Sequence, residues 1–311
     1  MSLYLAIDAG GTNTTCLLAD DRTELARTQT GSIKRMRVSA EDASKNLRDA
    51  FAEMELAAGV PLRQVDAVCI GTAGETVPLV VEWIRSEIAQ AIPDAKLLIL
   101  GDVEIALDAA FPGSRGVLVL AGTGSNVCGR SSSGRMVRAG GHGPAIADQG
   151  SGYWIGREGL RAAFLAKDRD EETMLMPAIA AAWQVNTPEE IVAQAHTVPP
   201  PDLSRLSRIV TACAEVGDRV AQSVLRQAGE DLAALAVIVM QKIARIEEEE
   251  NTCVSGALGV AVAGSILQHV VPVREAMAAA LKQFDADIQV CEQAVDPVQG
   301  ALWRARQIGR S

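Results

Sequence analysis

Three turns built from small and polar residues follow apolar, strand-like segments in this sequence of 311 residues. They are Asp8–Asn13 (DAGGTN), Gly122–Asn126 (GTGSN) and Ala263–Ser265 (AGS). Glycine lets backbone amides approach an anion closely, and Thr, Ser and Asn side chains add neutral hydrogen-bond donors. Each turn is therefore a candidate phosphate loop, although ordinary Gly-rich hairpin turns have the same composition. None of the three contains the GxxxxGK[ST] pattern, so a Walker-type loop is excluded here.

Two aspartates lie at the ends of apolar segments. Asp8 ends the segment LYLAID, where a buried carboxylate is costly unless it is paired or bound to a cation. It either caps its own turn or takes part in a hydrated Mg²⁺ site, since hard cations favour carboxylate and water oxygens. Asp102 follows the apolar run 97–100 and precedes a helical pattern, so the sequence alone favours a helix N-cap there.

Composition limits the class of protein. Because 39 acidic residues outnumber 29 basic ones, the formal net charge is −10, and such a surface disfavours general nucleic-acid binding. No segment has the ~18 uninterrupted apolar residues of a membrane helix, and the N-terminus has no signal-peptide pattern. The six cysteines are widely spaced without a CxxC motif. This spacing indicates reduced thiols and a cytoplasmic protein.

The order of hydrophobic patterns predicts an α/β protein. Three short strands at the start (3–8, 14–20 and 24–28) suggest an antiparallel meander. The spacing then predicts a helix over 40–58, after which strands and helices alternate to residue 110. The pattern restarts at Gly116 with strands near 117–121, 127–130 and 135–138. A mostly helical stretch over 151–246, broken at the proline-rich 198–201, precedes strands at 260–263 and 288–291. The second half thus repeats the architecture of the first, but not its sequence.

Three segments carry a resemblance to a known family. DAGGTN, AGTGSN (121–126) and ADQGSGYWIG (147–156) resemble the phosphate turns and signature segment of N-acetylglucosamine and glucosamine kinases, a group of the BadF/BadG/BcrA/BcrD ATPase family. Gly217-Asp218 and 296–301 continue the match in order. The resemblance implies two ribonuclease H-like lobes of the actin/hexokinase type, each a mixed five-stranded sheet flanked by helices, with a cleft between them. The implied boundaries are 1–115, 116–295 and a returning C-terminal helix, 296–311.

The resemblance also implies roles for individual residues. Asp102 matches the family's catalytic base, and Asp8 would hold Mg²⁺ through water. The implied ATP-binding residues are Gly10, Gly11, Thr12, Asn13, Thr14, Gly122, Thr123, Gly124, Ala263, Gly264 and Ser265. The implied sugar-binding residues are Thr123, Gly141, His142, Asp148 and Ser151.

The sequence departs from the family pattern at three places. His142 stands where many members have Trp, and Gln149 stands where they have Glu. The early sugar-contact loop usually has Asn after Gly, whereas this chain has Lys34, Arg35 and Arg37 in that loop. These cations either form a solvated loop or attract an anionic substituent, such as the carboxylate of an acidic amino sugar.

The leading hypothesis is an ATP-dependent, Mg²⁺-requiring kinase of an amino sugar, N-acetylglucosamine or glucosamine, with no nucleic-acid or membrane partner. A homodimer is a further expectation. One alternative is an ATPase that activates 2-hydroxyacyl-CoA dehydratases. That branch of the family carries an iron–sulfur cluster, and here only Cys128 lies near the second turn in the sequence. The other alternative is a non-catalytic sugar sensor on the same scaffold.

Overall fold

The computed structural model describes residues 2–35, 37–252 and 258–310, and for Glu292 it describes only the backbone. The strands of these residues form two five-stranded sheets. The strands are β1 (Tyr4–Ala9), β2 (Asn13–Ala19), β3 (Glu24–Gly31), β4 (Ala67–Thr72), β5 (Lys96–Leu100), β6 (Gly116–Ala121), β7 (Ser125–Arg130), β8 (Met136–Ala139), β9 (Gly259–Ala263) and β10 (Gln289–Ala294). The predicted α/β fold with two mixed five-stranded sheets flanked by helices is confirmed.

Eleven α-helices lie in the described part of the chain, together with 3₁₀ turns at Leu62–Gln64 and Leu203–Arg205. The helices are α1 (Ala40–Ala58), α2 (Pro78–Ala91), α3 (Asp102–Ala110), α4 (Gly152–Asp168), α5 (Leu175–Trp183), α6 (Pro188–Ala195), α7 (Leu206–Glu215), α8 (Arg219–Glu249), α9 (Ser265–His269), α10 (Val271–Phe284) and α11 (Pro297–Arg310). The chain divides into unit 1, Met1–Ser114 with Val295–Ser311, and unit 2, Arg115–Ala294. None of the helices described is long and apolar enough to cross a membrane.

In unit 1 the sheet order is β3-β2-β1-β4-β5. The meander β1–β3 is antiparallel, whereas β1, β4 and β5 are parallel to one another. Every residue of β4 is buried, because its alternate side chains enter two different cores. Val68 and Ile70 pack in the core with α1 and α2, and Ala67 and Cys69 pack in the core with α3 and α11. The parallel strands therefore end at one edge of the sheet, with helices on both faces.

Unit 2 repeats this arrangement with the order β10-β9-β6-β7-β8. Strands β6–β8 form the antiparallel meander, and β6, β9 and β10 are parallel. One large core joins this sheet to the helices, with Val119, Val127 and Val262 from the strands and Leu225 and Leu232 from α8. The two units thus share one strand plan.

The predicted helical stretch over 151–246 is divided more often than its proline-rich break suggests. Five helices, α4–α8, occupy this region, because capping residues start new helices. Thr187 accepts a hydrogen bond from the amide of Glu190 at 3.2 Å and starts α6. Asp218 follows Gly217, whose φ is +96°, and accepts from the amide of Ala221 at 2.9 Å to start α8. Side-chain caps of this kind begin a new helix, at Thr187 together with Pro188 in the first turn and at Asp218 without a proline.

Helix α11 packs closely on α3 within unit 1. A Cβ at Gly300 would lie 1.8 Å from the carbonyl oxygen of Ile105, so the two backbones touch at a glycine. One turn further, Arg304 Nε donates to Asp108 Oδ2 at 2.6 Å, and the Asp108 side chain is fully buried. The contact thus combines close backbone approach with a partly buried ion pair.

We predict that Gly300→Ala destabilises the protein by a net of about 1–3 kcal/mol, because overpacking at this contact outweighs the better helix propensity of alanine. Chemical denaturation measures the change. Gln307→Ala, at an exposed position of the same helix, is the matched control and should leave stability nearly unchanged. A Gly300→Ala variant as stable as the parent would contradict the described packing.

Candidate active site

The first small-residue turn joins β1 to β2 in unit 1. A Cβ at Gly10 would lie 2.5 Å from the carbonyl oxygen of Asn13, so this hairpin requires glycine there. Thr12 and Asn13 are exposed, and Gly11 is partly exposed. Thr14 is fully buried, and its hydroxyl accepts a hydrogen bond from the amide of Ile33 at 3.2 Å. Gly11, Thr12 and Asn13 of this turn are therefore accessible to a ligand, while Thr14 holds the loop after β3 in place through Ile33.

Asp8 lies in β1 one residue before its end, flanked by Thr15 on β2 and Gly71 on β4. Its pKa is raised from the ordinary value of 3.8 to about 7. Burial is the largest cause, followed by repulsion from Asp102, while Lys34 partly opposes both effects and Asp296 adds further repulsion. Two other carboxylates thus act on Asp8 at this edge of the unit 1 sheet.

Asp102 is the first residue of α3, immediately after β5 and its Gly101. The N-cap position belongs to Gly101, so the capping role that the sequence alone favours for Asp102 is wrong. One carboxylate oxygen, Oδ1, accepts from the amide of Val103 at 2.9 Å. The other, Oδ2, accepts from Lys34 Nζ at 3.0 Å. The side chain is 29% exposed, which leaves it accessible to a small molecule.

The second turn, Gly122–Gly124, joins β6 to β7 in unit 2. Its carbonyl groups are tied to the beginning of α4: the amide of Gly152 donates to Gly122 at 2.7 Å, and that of Tyr153 donates to Thr123 at 3.2 Å. Thr123 is exposed. A Cβ at Gly124 would lie 3.0 Å from Asp148 Oδ2. The turn, Asp148 and the start of α4 therefore form one assembly.

The third turn follows β9 and lies beside the second, because β9 and β6 pair in parallel with Leu120 opposite Ala263. Ala263 is buried, whereas Ser265 is exposed at the start of α9. Gly264 has a φ of +89°, and a Cβ there would lie 2.4 Å from the carbonyl oxygen of Ala121. Only glycine fits this approach, so the sheet itself brings the two unit 2 turns together.

The predicted sugar-binding residues of unit 2 differ in their availability. Asp148 is 8% exposed; burial raises its pKa, while the amides of Gly143 and Ser125 and the nearby His142 oppose that rise. Gly141 and His142 are exposed beside it. Ser151, in contrast, is fully buried, and its hydroxyl caps α4 by accepting from the amide of Trp154 at 3.1 Å. Ser151 therefore presents no exposed hydroxyl for a sugar, and its role in this structure is the N-cap of α4.

Several contacts in unit 1 escape the sequence analysis. Lys34 reaches Asp102 across 68 positions of the sequence. The Arg37 guanidinium lies against the first turn, with Nη1 3.1 Å from where a Cβ of Gly11 would be. Ser32 Oγ donates to the carbonyl oxygen of Gly10 at 3.2 Å. The dipeptide Asp296-Pro297 hints at the start of α11, but no local pattern reveals that Asp296 acts on Asp8.

Among the described cysteines, Cys16, Cys69, Cys128 and Cys213 are buried, and Cys291 is exposed. Cys253 lies outside the described residues. Burial raises the pKa of Cys16 to about 12 and also raises that of Cys69, so both thiols stay protonated. Within the described ranges, no three His, Cys, Asp or Glu side chains group closely enough to hold a metal ion by themselves.

Comparison with known proteins supports a common origin along nearly the whole chain. The curated N-acetylmuramic acid/N-acetylglucosamine kinase of Clostridium acetobutylicum is 30% identical over 254 residues, covering 78% of this chain and 82% of the relative. The glucosamine kinase of Vibrio cholerae is 26% identical, covering 83% and 85%. A solved structure from Chromobacterium violaceum, described as a candidate N-acetylglucosamine kinase, has a TM-score of 0.72 at 25% identity, covering 97% of this chain and 98% of that one.

The family model for BadF/BadG/BcrA/BcrD ATPases matches residues 5–305. This range includes every strand of both sheets except for Tyr4, together with all three small-residue turns, Asp8 and Asp102. The chain therefore belongs to the BadF/BadG/BcrA/BcrD ATPase family.

Proposed function

We propose that the protein is an ATP-dependent kinase that transfers the γ-phosphoryl group to a hydroxyl of an amino sugar. N-acetylglucosamine and glucosamine are the first substrates to consider, because the similar proteins of C. acetobutylicum and V. cholerae carry names of that class. Membership of an ATPase family supports ATP as the phosphoryl donor. The proposed phosphoryl donor therefore comes from family membership, and the proposed acceptor comes from the names of the similar kinases.

The observation that carries the proposal is the electrostatic coupling of Asp8 to Asp102 at one edge of the unit 1 sheet. Phosphoryl transfer needs charge neutralisation around the phosphates and a group that accepts the proton of the attacking hydroxyl. Asp102 is the residue we assign to the proton, because it is partly exposed and opens a helix directly after a strand. Asp8 lies within β1, and we assign it to the cation that neutralises the phosphates.

The small-residue turns would bind the nucleotide. Exposed Thr12, Asn13 and Thr123 offer donors to phosphate oxygens without adding charge. Gly10 and Gly11 in unit 1, and Gly122 and Gly124 in unit 2, keep the backbone bare of side chains. Ala263, Gly264 and Ser265 would lie against adenosine, since small residues permit close approach to a flat ring. Thr14 has a buried hydroxyl, so its contribution would be to hold the turn.

Asp8 fits a Mg²⁺ ion that is shared with the nucleotide. Mg²⁺ is usually held by one or two carboxylates, several waters and substrate phosphates, rather than by a cage of protein ligands. A single carboxylate whose pKa is raised by burial and like charge is a group that a cation would stabilise in its ionised form. When bound, Mg²⁺ would neutralise phosphate charge, with Asp8 holding it through water.

Asp148, His142, Gly141 and Thr123 are the residues of unit 2 that we assign to the sugar. Asp148 accepts hydrogen bonds from two backbone amides, which fix its carboxylate for contact with sugar hydroxyls. His142 offers a donor where a stacking ring would lie in many family members. Ser151 would support this group by capping α4. Cytoplasmic localisation and a homodimer stay predictions.

The dehydratase-activating function is less well supported. It needs cysteines that hold an iron–sulfur cluster, whereas Cys128 is buried within β7 and lies in the core of unit 2. The sensor function is disfavoured because both Asp8 and Asp102 are present. Coupled ADP release over a panel of amino sugars, with a visible spectrum of anaerobic protein, separates the three functions. Sugar-dependent ADP release supports the kinase, a brown protein supports the activator, and sugar binding without turnover supports the sensor.

We predict that Asp102→Asn lowers kcat by about 10²–10⁴-fold while ATP still binds, because the amide cannot accept the hydroxyl proton. Steady-state kinetics and nucleotide binding measure the two effects. Asp94→Asn is the matched control, since Asp94 is exposed and precedes the same strand that Asp102 follows. Near-normal turnover in Asp102→Asn would remove Asp102 from the role of base.

We predict that Asp8→Asn abolishes Mg²⁺-dependent ADP release and stabilises the ligand-free protein increasingly as pH rises. The pKa of Asp8 in the folded protein is above its unfolded value, so its ionisation costs the folded state stability as pH rises from the unfolded value to about 7. The variant lacks this cost, and its advantage should grow by about 2–3 kcal/mol between about pH 5 and pH 8. Denaturation at both pH values measures it, and a pH-independent difference would contradict the raised pKa.

A further inference from the structure

The loop after β3 concentrates positive charge in a chain with a net charge of −10. We call Lys34, Arg35 and Arg37 the basic loop. The residues that precede the basic loop are fixed: Ile33 is 2% exposed, and its amide donates to Thr14 Oγ1 at 3.2 Å. Asn46 Nδ2, on α1, donates to the carbonyl oxygen of Ser32 at 3.0 Å. The three cations therefore project from an anchored segment beside the first phosphate turn, rather than from a free surface loop.

Lys34 is the cation nearest to the candidate base. Its side chain is only 14% exposed, and Nζ lies 3.0 Å from Asp102 Oδ2. It also acts electrostatically on Asp8. An ammonium group has three donors, so Lys34 can hold Asp102 and still donate to a second oxyanion. Such an oxyanion would lie beside the hydroxyl that Asp102 is proposed to activate.

The two arginines of the basic loop have no acidic partner in the part of the chain that the structure describes. Arg35 Nη1 donates to the carbonyl oxygen of Val38 at 2.9 Å, but its Nε is buried without any hydrogen-bond partner among the described residues. Arg37 is exposed and lies against Gly11. A buried N–H left unpaired is unfavourable, so a ligand that pairs it gains affinity.

We propose that the basic loop binds a carboxylate on the acceptor, so that the preferred substrate is an acidic amino sugar. This inference rests on the proposed kinase function and names its substrate class. Guanidinium groups bind carboxylates through charge-assisted, often bidentate hydrogen bonds. The acceptor is favoured over the nucleotide as the source of the anion, because Lys34 contacts the candidate base and the first turn already supplies neutral donors for phosphate.

The test compares N-acetylmuramic acid, which carries a carboxylate on an ether substituent, with neutral N-acetylglucosamine. We expect the acidic sugar to have the higher kcat/KM. In Arg37→Gln the ratio of kcat/KM for the acidic sugar to that for the neutral sugar should fall about 10–100-fold, as expected for the loss of a charge-assisted hydrogen bond. Arg63→Gln is the matched control, since Arg63 is an exposed cation of the same unit outside the loop, and it should keep the parental ratio.

Lys34→Gln provides a second variant for the same ratio, and calorimetry of N-acetylmuramic acid without nucleotide measures binding independently of turnover. Equal or better use of the neutral sugar by the parent enzyme overturns the inference and leaves the kinase function intact. An unchanged ratio in both variants, with a raised KM for ATP, identifies nucleotide phosphate as the anion and also overturns it. No ADP release with any amino sugar rejects the kinase function itself.

Discussion

Repulsion among carboxylates at one edge of a sheet is the constraint that shapes unit 1. Asp8, Asp102 and Asp296 come from a strand, a helix start and the residue before α11, and the last two both raise the pKa of the half-buried Asp8. Like charges in a desolvated place are unfavourable unless cations compensate them. Lys34 contacts Asp102, and Arg27 pairs with Asp296, so protein cations supply part of that compensation. A metal ion and the phosphates it binds would alter the same balance of charge, which is why this edge suits phosphoryl-transfer chemistry.

Close backbone approach at glycines gives both units their bare turns. In unit 1 the hairpin at Gly10 is too tight for a side chain, and in unit 2 Gly264 meets the backbone of Ala121. The matching strand orders place the β1–β2 turn of unit 1 and the β6–β7 turn of unit 2, at Gly122–Gly124, at equivalent positions, whereas the Gly264 turn follows β9, the counterpart of β4. Turns without side chains let amide groups and small hydroxyls reach a phosphate. The repeated fold therefore explains why phosphate-type turns occur in both halves of the sequence.

Local patterns in the sequence predict the elements, while long-range contacts decide what the side chains do. The helix over 40–58 follows from its apolar spacing, and the observed α1 has the same bounds. The placement of Asp8 and Asp102 beside apolar runs also follows from local pattern. The N-cap positions of Gly101 and Ser151 do not, because they depend on backbone geometry that several residue types can adopt. The contact between Lys34 and Asp102 depends on the path of the chain through four intervening elements, which no local spacing reveals.

Family membership constrains the reaction more strongly than it constrains the acceptor. The strand ends, turns and aspartates would serve phosphoryl transfer in the proposed function, whereas the basic loop, His142 and Gln149 depart from the family pattern at places that would meet the sugar. A net charge of −10 would repel an acidic substrate at long range, but screening limits such repulsion to about 8–10 Å at physiological salt. Within that distance the nearest charges dominate. Anchored cations next to the candidate base can therefore select an anion that the molecule as a whole repels.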